Sequence, residues 1–278
     1  NVQKTLRTFG NVYADYEIID GLKFSTKFNF DHNSYKFDEQ TESFNQNGSI
    51  LGNIFIQGGE SFQRFSRNRN VSDTYIFTNL LTYNKEFGEH SVSAFVGHET
   101  FRKNQQNEFS RIQVLQGTQV DFENIDQYDI IADESILDAY GIGPDSKRES
   151  MFGKISYDYA DKYYASASVR RDGSSRFGKN NRYGVFPTAS AGWTISNEDF
   201  MENSKVFDNL KLRASWGGNG NADILEYAQY SIFNIALENS NYDLAGGGTG
   251  PIDIGISPNQ VGNPDLKWEQ SFQTNIGL

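Results

Sequence analysis

Residues 21–31 read "GLKFSTKFNFD", and their side chains sort by parity. Leu22, Phe24, Thr26, Phe28 and Phe30 fall on one side of an extended chain, and Lys23, Ser25, Lys27, Asn29 and Asp31 on the other. A helix would scatter both sets around its axis, whereas a strand turns successive side chains to opposite faces. The stretch therefore reads as a strand with one apolar and one polar face.

The same period recurs in "VYADYEI" (12–18), "YYASASVR" (163–170) and "LKLRASW" (210–216), while "SDTYIFTNLLTYNKEF" (72–87) and "HSVSAFVGHETF" (90–101) are strand-like but mixed on both faces. Composition agrees: 22 Phe, 15 Tyr and 26 Gly in 278 residues, with 5 Pro and 2 Met, favour strands and turns over packed helices. No stretch approaches the roughly 20 apolar residues a helix needs to cross a bilayer. If the chain spans a membrane, strands must do it, and they must close into a barrel. The absence of Cys removes disulfides and thiolate metal sites. A net charge of -11 argues against nucleic acid as a partner. "NVQKTLRTFGNVY" lacks the apolar core of a secretory signal.

Connections come in two sizes. Short polar turns are expected at 19–21, 87–90, 159–163 and 196–209, the last with room for a helical turn; long segments are expected at 32–71, 102–150, 172–184 and 218–266. This alternation predicts an all-β fold, an antiparallel transmembrane β-barrel with short periplasmic turns and long extracellular loops. A soluble sandwich would keep its loops closer in length. In a barrel the apolar face meets outer-membrane lipid and the polar face the lumen. Tyr16, Phe30, Tyr83, Tyr159, Tyr163, Trp193 and Trp216 suit interfacial girdles, or the core of a soluble sheet.

Between two alternating runs lies "SVRRDGSSRFGKNNRYGVFPTASAGW" (168–193), with five cations beside the single acid Asp172. It reads as a strand ending near "VRRD", a loop rich in Gly and Asn, and a strand returning through "GVFPTASAGW". Gly173, Gly178 and Gly184 are expected to supply positive backbone angles. Arg170 and Arg213 fall on polar strand faces, and Arg176, Lys179 and Arg182 in the loop, at the rim or upper lumen. With Asp172 they are the candidate contacts for cargo or a lid, since guanidinium and ammonium groups bond sugar hydroxyls and carboxylates. The plainer roles are to solvate the rim or to pair with Asp172.

"RRDGSSRFGKNNRYGVFPTASAGWTIS" (170–196), "LKLRASWGGNGN" (210–221) and "GNPDLKWEQSFQTNIGL" (262–278) occur in that order and resemble the barrel of SusC/RagA-type TonB-dependent outer-membrane transporters of the Bacteroidetes. The resemblance implies a 22-stranded barrel around an N-terminal plug, a SusD-like surface lipoprotein lid, and energy from TonB acting through the plug. Roughly ten to twelve strands are legible, so residues 1–278 read as an incomplete barrel domain, with plug and C-terminal strands expected outside it. The function implied is active uptake of a large nutrient, an oligosaccharide or else a peptide. A soluble β-rich protein that binds or degrades glycans, and a siderophore receptor of the same architecture, are the alternatives.

Other clusters point to little chemistry. Residues 121–149 hold nine acids against Lys147 and Arg148, and "SFQRFSRNRN" (61–70) holds Arg64, Arg67 and Arg69; both read first as solvated loops. His32, His90 and His98 lack metal-ligand spacing, and no G-x-S-x-G elbow is present. "GGNGNAD" (217–223) reads as a strand-end turn, and "GGGTGP" (246–251) follows no βαβ pattern. No catalytic residue and no cofactor are expected.

Overall fold

The computed structural model describes residues 1–43, 50–51, 54–55, 62–115, 138–142, 145–202, 206–234, 241–242, 253–254 and 256–278. In chain order the strands are β1 (Val2–Ile19), β2 (Leu22–Ser43), β3 (Ile50–Leu51), β4 (Ile54–Phe55), β5 (Phe62–Phe87), β6 (His90–Leu115), β7 (Asp138–Ile142), β8 (Asp145–Tyr159), β9 (Tyr163–Ser174), β10 (Tyr183–Thr194), β11 (Lys211–Asn221), β12 (Ile232–Asn234), β13 (Asn241–Tyr242), β14 (Asp253–Ile254), β15 (Ser257–Gln260) and β16 (Glu269–Gly277). Nine of them form one path of hydrogen-bonded neighbours, β1-β2-β5-β6-β8-β9-β10-β11-β16, and β7 adds to β6 as the tenth member. The pairs β6–β7, β8–β9, β9–β10, β10–β11 and β11–β16 are antiparallel. The all-β expectation holds, and the ten strands of this sheet match the expected ten to twelve, the other six described strands forming three small two-stranded sheets.

The short turns fall where the sequence placed them, at 20–21, 88–89 and 160–162, and two single-turn 3-10 helices (Ile195–Asn197 and Asp199–Met201) occupy the fourth. Gly21 (φ 80°) and Gly88 (φ 59°) supply the left-handed residues of the first two.

The long segments needed correction. β2 runs on to Ser43, β5 begins at Phe62 and β6 reaches Leu115, so much of 32–71 and 102–150 is strand. A bilayer needs only about 9–11 residues per strand, and β5 and β6 have 26 each. In "DHNSYKFDEQ" (31–40) neither face is apolar, so the two-residue signal vanishes while the backbone ladder continues.

Contacts divide the chain into two units. The first, Asn1–Asn11, Asn29–Tyr75 and Lys103–Asp145, holds these polar extensions. Cross-strand pairs link them: Arg7 with Asp31 (2.7 Å), Arg67 with Asp38 (2.8 Å), His32 with Asp73 (2.6 Å) and Arg69 with Glu108 (3.7 Å). Arg67 and Arg69, expected as solvated, are thus partnered, while the Arg64 side chain lies outside the described residues.

The second unit, Val12–Phe28, Ile76–Arg102 and Ser146–Leu278, carries the two-faced strands. Its registers align the faces across neighbours. Ile155 faces Ala167, which faces Ala189, which faces Trp216; Gly153 faces Val169, which faces Pro187. One parity step away, Ser156, Ser166, Ser190 and Ser215 form a continuous polar row. The apolar rows are not hidden in a core: Val169 is 50% exposed, Ile155 54% and Ile276 78%. Among the described residues the buried large hydrophobics are Phe65, Phe177 and Phe186. A soluble sheet hides its apolar face, so this arrangement contradicts the sandwich alternative and fits lipid as the surrounding medium.

Candidate functional site

The polar face and the loops at its outward end, away from the short turns, make the site. Its surface is rich in hydroxyls and amides: Ser166, Ser168, Thr188, Ser190, Ser215, Gln273 and Asn275 share it by register. Ser166 bonds Ser190 (2.8 Å) and Ser168 bonds Thr188 (2.6 Å) across β9 and β10, which holds both pairs in place while leaving further lone pairs free.

Arg170 lies on this face as expected, and it is compensated. Its Nε donates to both Asp172 carboxylate oxygens (2.7 and 2.9 Å) and an Nη donates to Ser150 Oγ (2.9 Å). Glu99 lies 3.9 Å away, and the Phe152 ring sits beneath the guanidinium at 5.1 Å. Arg213 is not part of this group. Arg170 faces Phe186 and Arg213 faces Gly192, six positions further along β10, which is about 20 Å at roughly 3.3 Å per residue. It sits at the short-turn end of the polar face.

The loop cations divide. Arg176 is a clamp: Nε donates to Glu226 (2.8 Å), and Nη1 to Asp223 (2.9 Å) and the Ala222 carbonyl (3.2 Å). Burial pulls its pKa down and the bonds to Glu226 and Asp223 more than offset this, so the value stands above that of an ordinary arginine. Lys179 and Arg182 are exposed, and their side chains make no ion pair among the described residues. The Arg182 carbonyl instead accepts from Ser174 N–H (3.1 Å) and from Trp268 Nε1 (3.0 Å).

Around the clamp the three sequence motifs fold into one aromatic knot. Phe177, fully buried, lies 5.2 Å from Trp268, which meets Phe186 edge-on at 5.5 Å. Asn181 donates to the Asp265 carbonyl (3.1 Å) and Gln229 to the Ser175 carbonyl (3.3 Å). Here the expectation for the glycines fails: Gly173, Gly178 and Gly184 do not have positive φ. They are small because rings and backbone press on them. A Cβ at Gly184 would stand 2.5 Å from Phe186, one at Gly178 2.6 Å from the Pro264 carbonyl, and one at Gly173 2.5 Å from the Tyr183 ring. Sequence reasoning missed Phe177, Trp268, Asp223 and Glu226; the available signal was that all lie within or just beyond the three long motifs.

At the opposite end of the sheet, rings stack along the apolar face from Phe87 through His90 and Tyr159 to Tyr163 and Trp193. Glu198, in the turn beyond, accepts from Tyr163 Oη (2.5 Å) and Trp193 Nε1 (2.8 Å). These bonds hold the Glu198 carboxyl below its ordinary pKa, with Lys162 (3.5 Å) adding to the effect. An apolar ring body with its polar tip anchored outward is the arrangement of an interfacial girdle, as expected for Tyr159, Tyr163 and Trp193.

The three histidines lie apart in separate pairs, with Asp73, Tyr157 and Glu149. "GGNGNAD" ends β11 and turns, Asn221 Oδ1 accepting from the Asp223 N–H (2.9 Å). Most of the acidic stretch 121–149, and all of "GGGTGP", lie outside the described residues.

A family model described as TonB dependent receptor-like, beta-barrel matches residues 2–278. TonB-dependent receptor P3 of Formosa agariphila is 31% identical over 269 residues, 96% of this chain and 24% of that protein. TonB-dependent receptor SusC of Bacteroides thetaiotaomicron is 35% identical over 130 residues, 46% of this chain and 12% of that protein. The RagAB peptide transporter structure shares the fold, with a TM-score of 0.76 at 23% identity over 99% of this chain and 28% of that one. The chain spans about a quarter of the length of the longest-matched curated relatives.

Proposed function

Because the chain belongs to the TonB-dependent receptor-like β-barrel family of the bacterial outer membrane, we propose that residues 1–278 form a partial barrel domain in an importer of large nutrients driven through TonB, with an oligosaccharide as its cargo. The observation that carries the cargo is the polar face. Its outward cation Arg170 is neutralised by Asp172, and alongside Lys154, Lys211 and Arg213 the face presents a field of hydroxyls and amides from Ser166, Ser168, Thr188, Ser190, Ser215, Gln273 and Asn275. Such groups both donate and accept, which matches a neutral polyol. No residue here is assigned to catalysis, and the chain's part is passive: wall, rim and loop scaffold.

A peptide is the second reading, favoured by Arg213, a lumen cation with no ion pair among the described residues and suited to a carboxylate, and by the fold shared with the RagAB peptide transporter. The test is uptake by the full-length transporter carrying Ser168→Val with Thr188→Val, against Arg213→Gln. Oligosaccharide uptake reduced several-fold by the first pair alone supports the primary reading. Peptide uptake reduced by Arg213→Gln, with oligosaccharide uptake untouched by either, overturns it.

The partners follow the same reading: TonB on the periplasmic side, and a SusD-like lipoprotein over the loops, where Leu225, Tyr230 and Val261 are 76%, 56% and 85% exposed and Lys179 and Arg182 are exposed as well. Lys179→Ser with Arg182→Ser should release the lid during purification while leaving the Arg176 clamp intact. Full lid retention with lost growth on the nutrient would place these two cations on the cargo path instead.

A further inference from the structure

The apolar face is not uniformly smooth. Between β5, β6, β8 and β9 it carries an open groove of about 570 Å³ lined by Leu81, Tyr83, Val96, Ile155, Ala167 and Val169, among others. Small side chains make its floor, with Gly153 facing Val169 and Ala167 facing Ile155. One step outward on β9, on the same face as Val169, stands Arg171. Its guanidinium lies 3.8 Å above the Tyr183 ring, which itself rests over Gly173, where a Cβ would stand 2.5 Å away. Arg171 is exposed and makes no ion pair among the described residues.

We propose that this outward end of the apolar face binds a phosphorylated glycolipid of the outer leaflet, with a phosphate on Arg171 and one acyl chain in the groove below it. The proposal rests on the family's place in the outer membrane, and it commits to the lipid because the surface is amphiphilic in the matching sense. Arg171 is eight positions from Tyr163 in the short-turn girdle, about 26 Å along the strand and about 20 Å along the membrane normal at a tilt of 35–45°. The apolar band of such barrels is about 25 Å tall, so Arg171 sits where chains give way to headgroups. Stacking on Tyr183 fixes the guanidinium plane and leaves its edge for two parallel bonds to phosphate oxygens. By strand parity Lys147 and Arg102 share this face, as does His98. The acid there, Glu149, bonds His98 (3.1 Å) and the Tyr183 hydroxyl (3.2 Å) and also lies near enough to Arg171 for their charges to attract, without an ion-pair contact.

The test uses the full-length protein, purified from outer membranes in mild detergent and assayed for retained lipid A by mass spectrometry. Binding is also titrated with lipid A, with dephosphorylated lipid A and with phosphatidylglycerol. Arg171→Gln is expected to lower retained lipid A at least five-fold, as is filling the groove with Ala167→Phe, while Lys27→Gln on the polar face changes nothing. Dephosphorylated lipid A should bind the wild type as weakly as intact lipid A binds Arg171→Gln. Equal retention in wild type and Arg171→Gln, or equal binding of the dephosphorylated form, overturns the proposal, and so does a preference for phosphatidylglycerol. Each variant is first checked for outer-membrane fractionation and heat-dependent electrophoretic mobility. A wild type failing those checks removes the membrane reading itself; one passing them with indifferent lipid retention removes only the lipid site.

Discussion

The sheet from β8 to β11 and the aromatic knot above it bury opposite things. In the sheet, Val169, Ile155 and Trp216 stand exposed while serines line the other face, so each strand is readable by parity. In the knot, Phe177 and Phe186 are buried, and the charges of Arg176, Asp223 and Glu226 close over the turn. The first region draws its stability from a surrounding apolar solvent and the second from its own interior. The same substitution should therefore have opposite consequences in the two.

The strongest way to break this comparison is Phe177→Ala. Emptying a fully buried ring position should cost the knot about 3–5 kcal/mol, seen as faster proteolysis between residues 175 and 182 with the barrel's heat-dependent mobility preserved. Next, Ile155→Arg should cost about 2–4 kcal/mol in denaturant titration of vesicle-embedded protein, while Ser156→Arg, one residue on, should cost far less. A larger loss from Ser156→Arg would invert the faces. Third, Glu226→Gln should weaken the knot by about 1–2 kcal/mol, with less from Asp223→Asn because Asp223 is 89% exposed.

The smallest effect is one of pH. Glu198 is held below its ordinary pKa by Tyr163 and Trp193. A depressed folded value means the stabilisation is present above the unfolded carboxylate pKa, about 4.3, and is lost as pH falls through the folded value. Trp193 fluorescence should report a transition below pH 4.3 that Glu198→Gln removes.

How much was legible follows the same division. Parity exposed the strands wherever one face was apolar, and the short turns were marked by "DG" and "FGEH". The polar extensions of β2, β5 and β6 were invisible because nothing alternates in "DHNSYKFDEQ". Arg176, Lys179 and Arg182 were grouped by composition, and only the fold separates a clamp from two exposed cations, because the partners of Arg176 lie 47 and 50 positions away. The glycines have a different cause for a related reason: a need for positive φ is local, whereas the group that crowds a Cβ at Gly178 is the Pro264 carbonyl, and Trp268 adds to Phe186 at Gly184.

The bond from Trp268 Nε1 to the Arg182 carbonyl spans 86 positions, whereas β8, β9 and β10 are neighbours closed by brief connections. Contacts of such separation wait on the chain entropy of everything between them, so hairpins pair early and distant closures come late. Assembly should accordingly pass through a stage in which the wall is zipped as far as β11 while the loop 175–182 is still open to proteases. Cleavage there after a short refolding pulse, with protection arising only when β16 pairs, would time the moment at which the extracellular surface acquires its final form.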